Sequence, residues 1–135
     1  MTELQPELQP TLRAIHSELA PNAIGPYSQA TKTGKLVFLS GQIALNPQTM
    51  ELVEGGIEAQ ARQVFKNLDA VACAAGGSLQ TLSKLTIYLC DLGDFSLVNK
   101  IMAELFQAPY PARATVGISS LPKNALIEID GILVL

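Results

Sequence analysis

The sequence predicts an α+β fold, a mixed sheet of about six strands with two helices packed on one of its faces. Short β-rich runs recur between turn residues, and only two segments carry apolar residues at the three- and four-residue steps of a helix. In chain order the elements read strands, helix, strand, helix, strands. The 135 residues suffice for one core and not for two.

Residues 1–11 are expected to form a mobile tail, because Glu3-Leu-Gln-Pro6 repeats as Glu7-Leu-Gln-Pro10 in a polar tract. A single domain is expected over residues 12–135. Its first strand runs near Leu12 to His16, and Pro21, Gly25 and Pro26 punctuate the loop behind it. Strands are predicted from Tyr27 to Thr33 and from Lys35 to Ala44, with Thr33-Gly34 as the turn between them. Leu36-Val37-Phe38-Leu39 is apolar at both alternating parities, so both faces of that strand are expected to be buried.

Ile57 to Ala75 is the clearest helix. Ile57, Ala61, Val64, Phe65, Leu68, Val71, Ala72 and Ala75 fall on one of its faces, and Gly76-Gly77 ends it. Leu82 to Cys90 is a further strand. Asp94 is expected to cap a second helix with Phe95, Val98, Ile101, Met102 and Leu105 as its inner stripe. Pro109 and Pro111 close it. Ala112 to Ile118 and Leu126 to Leu135 are the last strands, with Pro122-Lys-Asn124 turning between them. Two helices cannot cover both faces of such a sheet, so the open face is expected to meet another copy of the chain.

Composition narrows the function classes. Hydrophobic residues are 48% and charged residues 16%, an apolar balance that favours shared surface. A net charge of −3, 5% aromatics and no Trp argue against nucleic acid. No apolar run approaches the roughly 20 residues of a membrane span. Cys73 and Cys90 are expected to be buried free thiols in a reducing compartment, and no signal peptide is visible, so the cytoplasm is expected.

The single histidine, His16, and two separated cysteines form no metal-ligand spacing. No Gly-x-Ser-x-Gly elbow, Gly-x-Gly-x-x-Gly turn or phosphate-binding loop is present, and no lysine stands in a pyridoxal-phosphate context. The expected cofactor list is therefore empty.

Two polar groups stand among apolar neighbours. Arg113 follows Pro109-Tyr-Pro111, which stiffen its strand, and shares a strand face with Thr115. It reads either as an exposed or ion-paired arginine, or as a fork held rigid to receive a carboxylate. Glu128 lies in Leu126-Ile-Glu-Ile-Asp130, where alternation puts Leu126, Glu128 and Asp130 on one face. It reads either as part of a solvated face or as a carboxylate lining a cleft and handling water.

From Ile24 to its end the chain resembles the reactive intermediate deaminase family (RidA, YjgF or L-PSP). The segments that carry the resemblance are Ala23-Ile-Gly-Pro-Tyr-Ser-Gln29, Leu39-Ser-Gly-Gln-Ile43 and Ala59-Gln-Ala-Arg-Gln63. They continue with Asp94-Phe-Ser-Leu-Val-Asn99, Pro111-Ala-Arg113, Leu121-Pro-Lys123 and Ile127-Glu-Ile129. The resemblance implies a chorismate-mutase-like fold and a homotrimer with clefts between subunits. It implies hydrolysis of reactive 2-imino acids or their enamines, such as 2-iminobutanoate or 2-iminopropanoate, to 2-oxo acids and ammonia.

Carried over by position, the resemblance gives Arg113 the substrate carboxylate and Glu128 the attacking water. It gives Tyr27 to the cleft of a neighbouring subunit, and Gly41 and Thr115 backbone contacts with the ligand. Ser40 and Asn99 become polar residues near it. Many relatives carry cysteine at Thr115, and the stretch before Pro111 is slightly short. Met102 and Tyr110 also depart from the common pattern. Two other readings stay open: an endoribonuclease, against which the acidic balance and the lone histidine weigh, and a non-catalytic trimer that binds 2-oxo acids through Arg113.

Overall fold

The computed structural model describes residues 11–135. The repeated segment and all but the last residue of the expected tail lie outside them. Six strands form one sheet: β1 (Arg13–Ile15), β2 (Ala30–Thr33), β3 (Leu36–Gln42), β4 (Leu82–Leu89), β5 (Ala112–Gly117) and β6 (Ile127–Val134). Their spatial order is β1-β2-β3-β6-β4-β5, antiparallel throughout except for the parallel pair β4 and β5. Helices α1 (Gly56–Ala74) and α2 (Phe95–Leu105) supply the second layer.

The apolar stripe of α1 explains its position. Ala61, Val64, Phe65, Leu68, Val71 and Ala72 are all buried against Val37, Leu39, Ile129 and Leu133 of the sheet. Each large side chain contributes about 1.5–3 kcal/mol by leaving water. Phe65 also meets Phe106 edge-to-face, with ring centroids 5.7 Å apart. Past the last turn Gly76 takes φ of 98°, a left-handed conformation that an L side chain resists, and the chain turns away.

The opposite face of the sheet is open. Pairing of Phe38 with Ile132 and of Leu36 with Val134 fixes which side chains share it. Leu36, Phe38, Val116 and Val134 are 40–46% exposed there, while Val37 and Leu39 on the helix side are buried. Within one chain this strand is covered on one face only, because both helices lie on the same side; the other is the face expected to meet another copy.

Four expectations are corrected. Tyr27 to Gln29 are loop, not strand, because the Tyr27 amide folds back on Gly25 O at 2.8 Å and β2 starts only at Ala30. Asp94 precedes α2 but accepts no capping bond; Asp91 instead accepts from the Gly93 amide at 2.8 Å, one turn earlier. Cys73 and Cys90 are free but exposed, the first on the outer side of α1 and the second just past β4. In α2 only Val98, Ile101 and Met102 of the predicted stripe are buried. Phe95 faces Arg113 instead.

Buried polar side chains of α1 brace two of the strand ends that matter below. Asn67, fully buried, donates to Leu45 O at 3.0 Å and Ile43 O at 3.4 Å, fixing the segment after β3. Gln60 accepts from the Leu126 amide at 2.9 Å, one residue before β6 begins. Among the described residues no helix is long and apolar enough to cross a membrane.

Candidate active site

Every residue singled out in the sequence is described, and they gather in two groups. The first surrounds a cavity of about 230 Å³ lined by Tyr27, Gly41 and Glu128, with Asn22, Gln29 and Gln42 among its other walls. Pairing between β3 and β6 slips between Leu39 and Gln42, and this irregularity brings the Gly41 backbone beneath Glu128. Ser40 sits at the same slip. Its hydroxyl donates to Ser28 O at 2.6 Å and its amide to Gln29 O at 3.0 Å, so it ties the strand to the loop that carries Tyr27. Tyr27 is half-exposed, and its hydroxyl accepts from the Ile24 amide at 3.4 Å.

Glu128 is half-buried. Burial, and then the charge of Asp130, pushes its carboxyl above the ordinary glutamate range. A carboxyl so placed gives up and recovers a proton nearer neutrality than a surface glutamate does.

The second group is built on β5 and α2. The Arg113 guanidinium stands over the Phe95 ring, 5.1 Å from its centroid. Its Nη1 donates to Asn99 Oδ1 and approaches Met102 Sδ at 3.5 Å. Among the described residues it has no carboxylate partner. A cavity of about 500 Å³ opens beside it, lined by Asn99, Met102, Ala103, Tyr110, Pro111 and Arg113. Thr115 follows on the same strand face, and among the described residues its buried hydroxyl has no hydrogen-bond partner.

The two groups do not meet within one chain. Arg113 pairs with Leu85 and Glu128 pairs with Tyr88, three residues further along β4. An odd separation puts them on opposite faces of the sheet. Tyr27, placed by the resemblance on a neighbouring subunit, shares its cavity with Glu128 of the same chain.

Two residues with clear local roles were not singled out in the sequence. Gln29 is buried, donates to Pro21 O, Ser17 O and Ala20 O at 2.8, 3.1 and 3.4 Å, and accepts from the Ser17 amide at 2.6 Å. It pins the loop that walls the first cavity. Its signal was present, an amide closing the segment that begins at Ala23, but nothing local separates a buried glutamine from an exposed one. Phe95 read as core by periodicity, since an aromatic beneath a cation and one in a core have the same spacing.

The Endoribonuclease L-PSP family model matches residues 17–135. Protein DfrA of Myxococcus xanthus is 52% identical, covering 90% of this chain and 95% of its own. A 2-iminobutanoate/2-iminopropanoate deaminase of Dermatophagoides farinae is 47% identical over 91% of this chain and 96% of its own. The crystal structure of RidA from an Antarctic Psychrobacter superposes with a TM-score of 0.88 at 46% identity, covering 91% of this chain and 99% of that one. Sequence and fold agree across almost the whole described length, and the chain belongs to the Endoribonuclease L-PSP family, the group that holds RidA and YjgF.

Proposed function

We propose that this protein hydrolyses small 2-imino acids, or their enamine tautomers, to 2-oxo acids and ammonia, in clefts formed between copies of the chain. The observation that carries this reading is the Arg113 guanidinium, seated on Phe95 and held by Asn99 with no carboxylate of its own among the described residues. Its fork is left for a carboxylate from outside. The deaminase name of a relative 47% identical over nearly the whole chain supports the same reaction.

The chemistry follows from an electrophilic carbon. Arg113 fixes the substrate carboxylate, and Glu128 holds a water against the C=N carbon. As the water oxygen bonds to that carbon, Glu128 takes its proton, and the C=N electron pair moves to nitrogen. The carboxyl returns that proton to nitrogen, giving a carbinolamine; it then relays the hydroxyl proton to the same nitrogen as the C–N bond breaks, so that C=O forms and ammonia leaves. Tyr27, Ser40, Gly41, Asn99 and Thr115 would shape the two walls. No metal or covalent nucleophile is needed for this sequence of steps.

Because Arg113 and Glu128 lie on opposite faces of one sheet, the reading requires a second copy to join them. The open face with Leu36, Phe38, Val116 and Val134 offers apolar surface for that contact, and a homotrimer is the assembly we assign. The two free thiols are consistent with a cytoplasmic location.

The test generates 2-iminobutanoate in place with an amino-acid oxidase and follows its decay. Native protein is expected to accelerate decay and Arg113→Ala to abolish the acceleration. Equal decay with both would remove the hydrolase reading, and RNA cleavage insensitive to Arg113→Ala would not restore it.

A further inference from the structure

Glu128 does not stand alone on the open face. Strand alternation puts Asp130 on the same side, two residues along β6, about 7 Å away by strand geometry. Asp130 is itself held: the Tyr88 hydroxyl, on the neighbouring strand, donates to its Oδ2 at 3.0 Å. Tyr88 is the register partner of Glu128, and Thr86 that of Asp130. The four side chains therefore form a two-by-two block, with the phenol crossing it diagonally from one pair to the carboxylate of the other.

The charges around Glu128 are few. From its own strand comes Asp130; from β4 come Tyr88 and, further along, Lys84, which lines a groove with Asp130 but is not ion-paired with it. From β3 comes Gly41, without a side chain. Among the described residues, Tyr27 is the only other titratable wall of the Glu128 cavity. Among the described residues no cation is paired with Glu128, and the full charge beside it on its own strand face is that of Asp130. After burial, that charge is the second cause holding its carboxyl high. The hydrogen bond to Asp130, first among the causes, drives the Tyr88 phenol up and so keeps it a donor.

We infer that Asp130, fixed in place by the Tyr88 hydroxyl, is a positioning residue that acts through Glu128, its charge setting how readily that carboxylate takes and returns the proton of the attacking water. The inference rests on the hydrolase reading above. Desolvation alone would raise Glu128 but would leave it dependent on how far water enters the cleft; a fixed negative neighbour supplies a constant bias. The phenol matters because an unheld aspartate would swing toward solvent, where its field is screened.

The test compares Asp130→Asn, which keeps shape and removes charge, with Asp130→Glu, which keeps the charge. The readout is the acid limb of the kcat/KM profile for 2-imino acid hydrolysis, where rate rises as Glu128 ionises. Asp130→Asn should move this limb to lower pH and lower kcat, while Asp130→Glu should leave the limb near its native position. Binding of 2-oxobutanoate, which reports on Arg113, should be unchanged in both. A limb unmoved by Asp130→Asn overturns the inference and leaves the hydrolase intact. If native protein proves inactive, the hydrolase reading fails on its own. Carbon-detected NMR titration of the Glu128 carboxyl then decides the coupling: identical titration in native and Asp130→Asn protein overturns it.

Discussion

The Glu128 carboxylate lies directly over the backbone of Gly41. A β-carbon built on Gly41 would stand 2.7 Å from Glu128 Oε2, 2.9 Å from its Cδ and 3.2 Å from its Cγ. Such a contact cannot persist, and the flexible carboxylate end is what yields. Gly41→Ala is therefore expected to cost less than about 1 kcal/mol of stability, since a surface-facing side chain can swing aside. It should still lower kcat at least about tenfold, because a misplaced water-holding group loses the near-attack geometry. Thermal melts beside imine-decay assays check this. A variant with native kcat would separate Gly41 from the reaction.

Gln29 makes the loop around the first cavity a fixed wall. Its buried amide serves three carbonyls and one amide proton. Gln29→Ala leaves these groups without partners in a dry environment, and the expected loss is about 2–4 kcal/mol. Urea unfolding measures it. A loss of a few tenths would mean that water replaces the side chain and that the loop does not depend on it.

These two residues mark how far the sequence could be read. The helix of Ile57, the alternation around Glu128 and the shared face of Arg113 and Thr115 were legible, because each depends on a repeat of two or of three to four residues. Asp94 stands at the start of α2 without capping it, because the 3-10 turn Leu92–Asp94 runs straight into the helix and holds its backbone helical (φ −79°), whereas extended Asp91 opens that turn and accepts from the Gly93 amide. Opposite placement of Arg113 and Glu128 was not legible. It depends on β4 lying between β5 and β6 and on register across two ladders, one parallel and one antiparallel. Neither order nor register leaves a local trace. The stacking of Arg113 on Phe95 was hidden for the same reason.

Glu128 should weaken the fold at neutral pH while serving the reaction. Its folded carboxyl is held above the ordinary range by burial first and by Asp130 second. A raised carboxyl contributes stability below its ordinary unfolded range, and that contribution is lost as pH rises through the folded value. At neutral pH the ionised group is thus a burden, so Glu128→Gln should be more stable than native protein. Half of the side chain stays in water, so the gain is held to about 1 kcal/mol or less. At a pH well below the ordinary glutamate value of about 4.3, where the carboxyl is protonated in the folded and unfolded chain alike, the difference should shrink toward zero. Denaturant titrations at both pH values check the sign. A variant less stable at neutral pH would show that Glu128 has a structural partner in the assembled protein.

The separation of Arg113 from Glu128 makes a stronger demand. If each cleft takes its guanidinium from one copy and its carboxylate from the next, Arg113→Ala and Glu128→Gln damage different halves of every site. Each variant alone should be inactive. Mixed, dissociated in mild denaturant and allowed to reassemble at equal concentration, they form hybrids in which some clefts receive an intact Arg113 from one variant and an intact Glu128 from the other. Random assortment in a closed ring restores about a quarter of the sites, whatever the number of subunits in the ring. The double variant Arg113→Ala/Glu128→Gln, mixed with native protein in equal amount, serves as the reference: there too an intact site requires two intact donors, and about a quarter survive. Equal activities in the two mixtures are expected. A mixture of the single variants that stays inactive after verified subunit exchange would place both groups in the same chain's site, against the face assignment that the strand register gives.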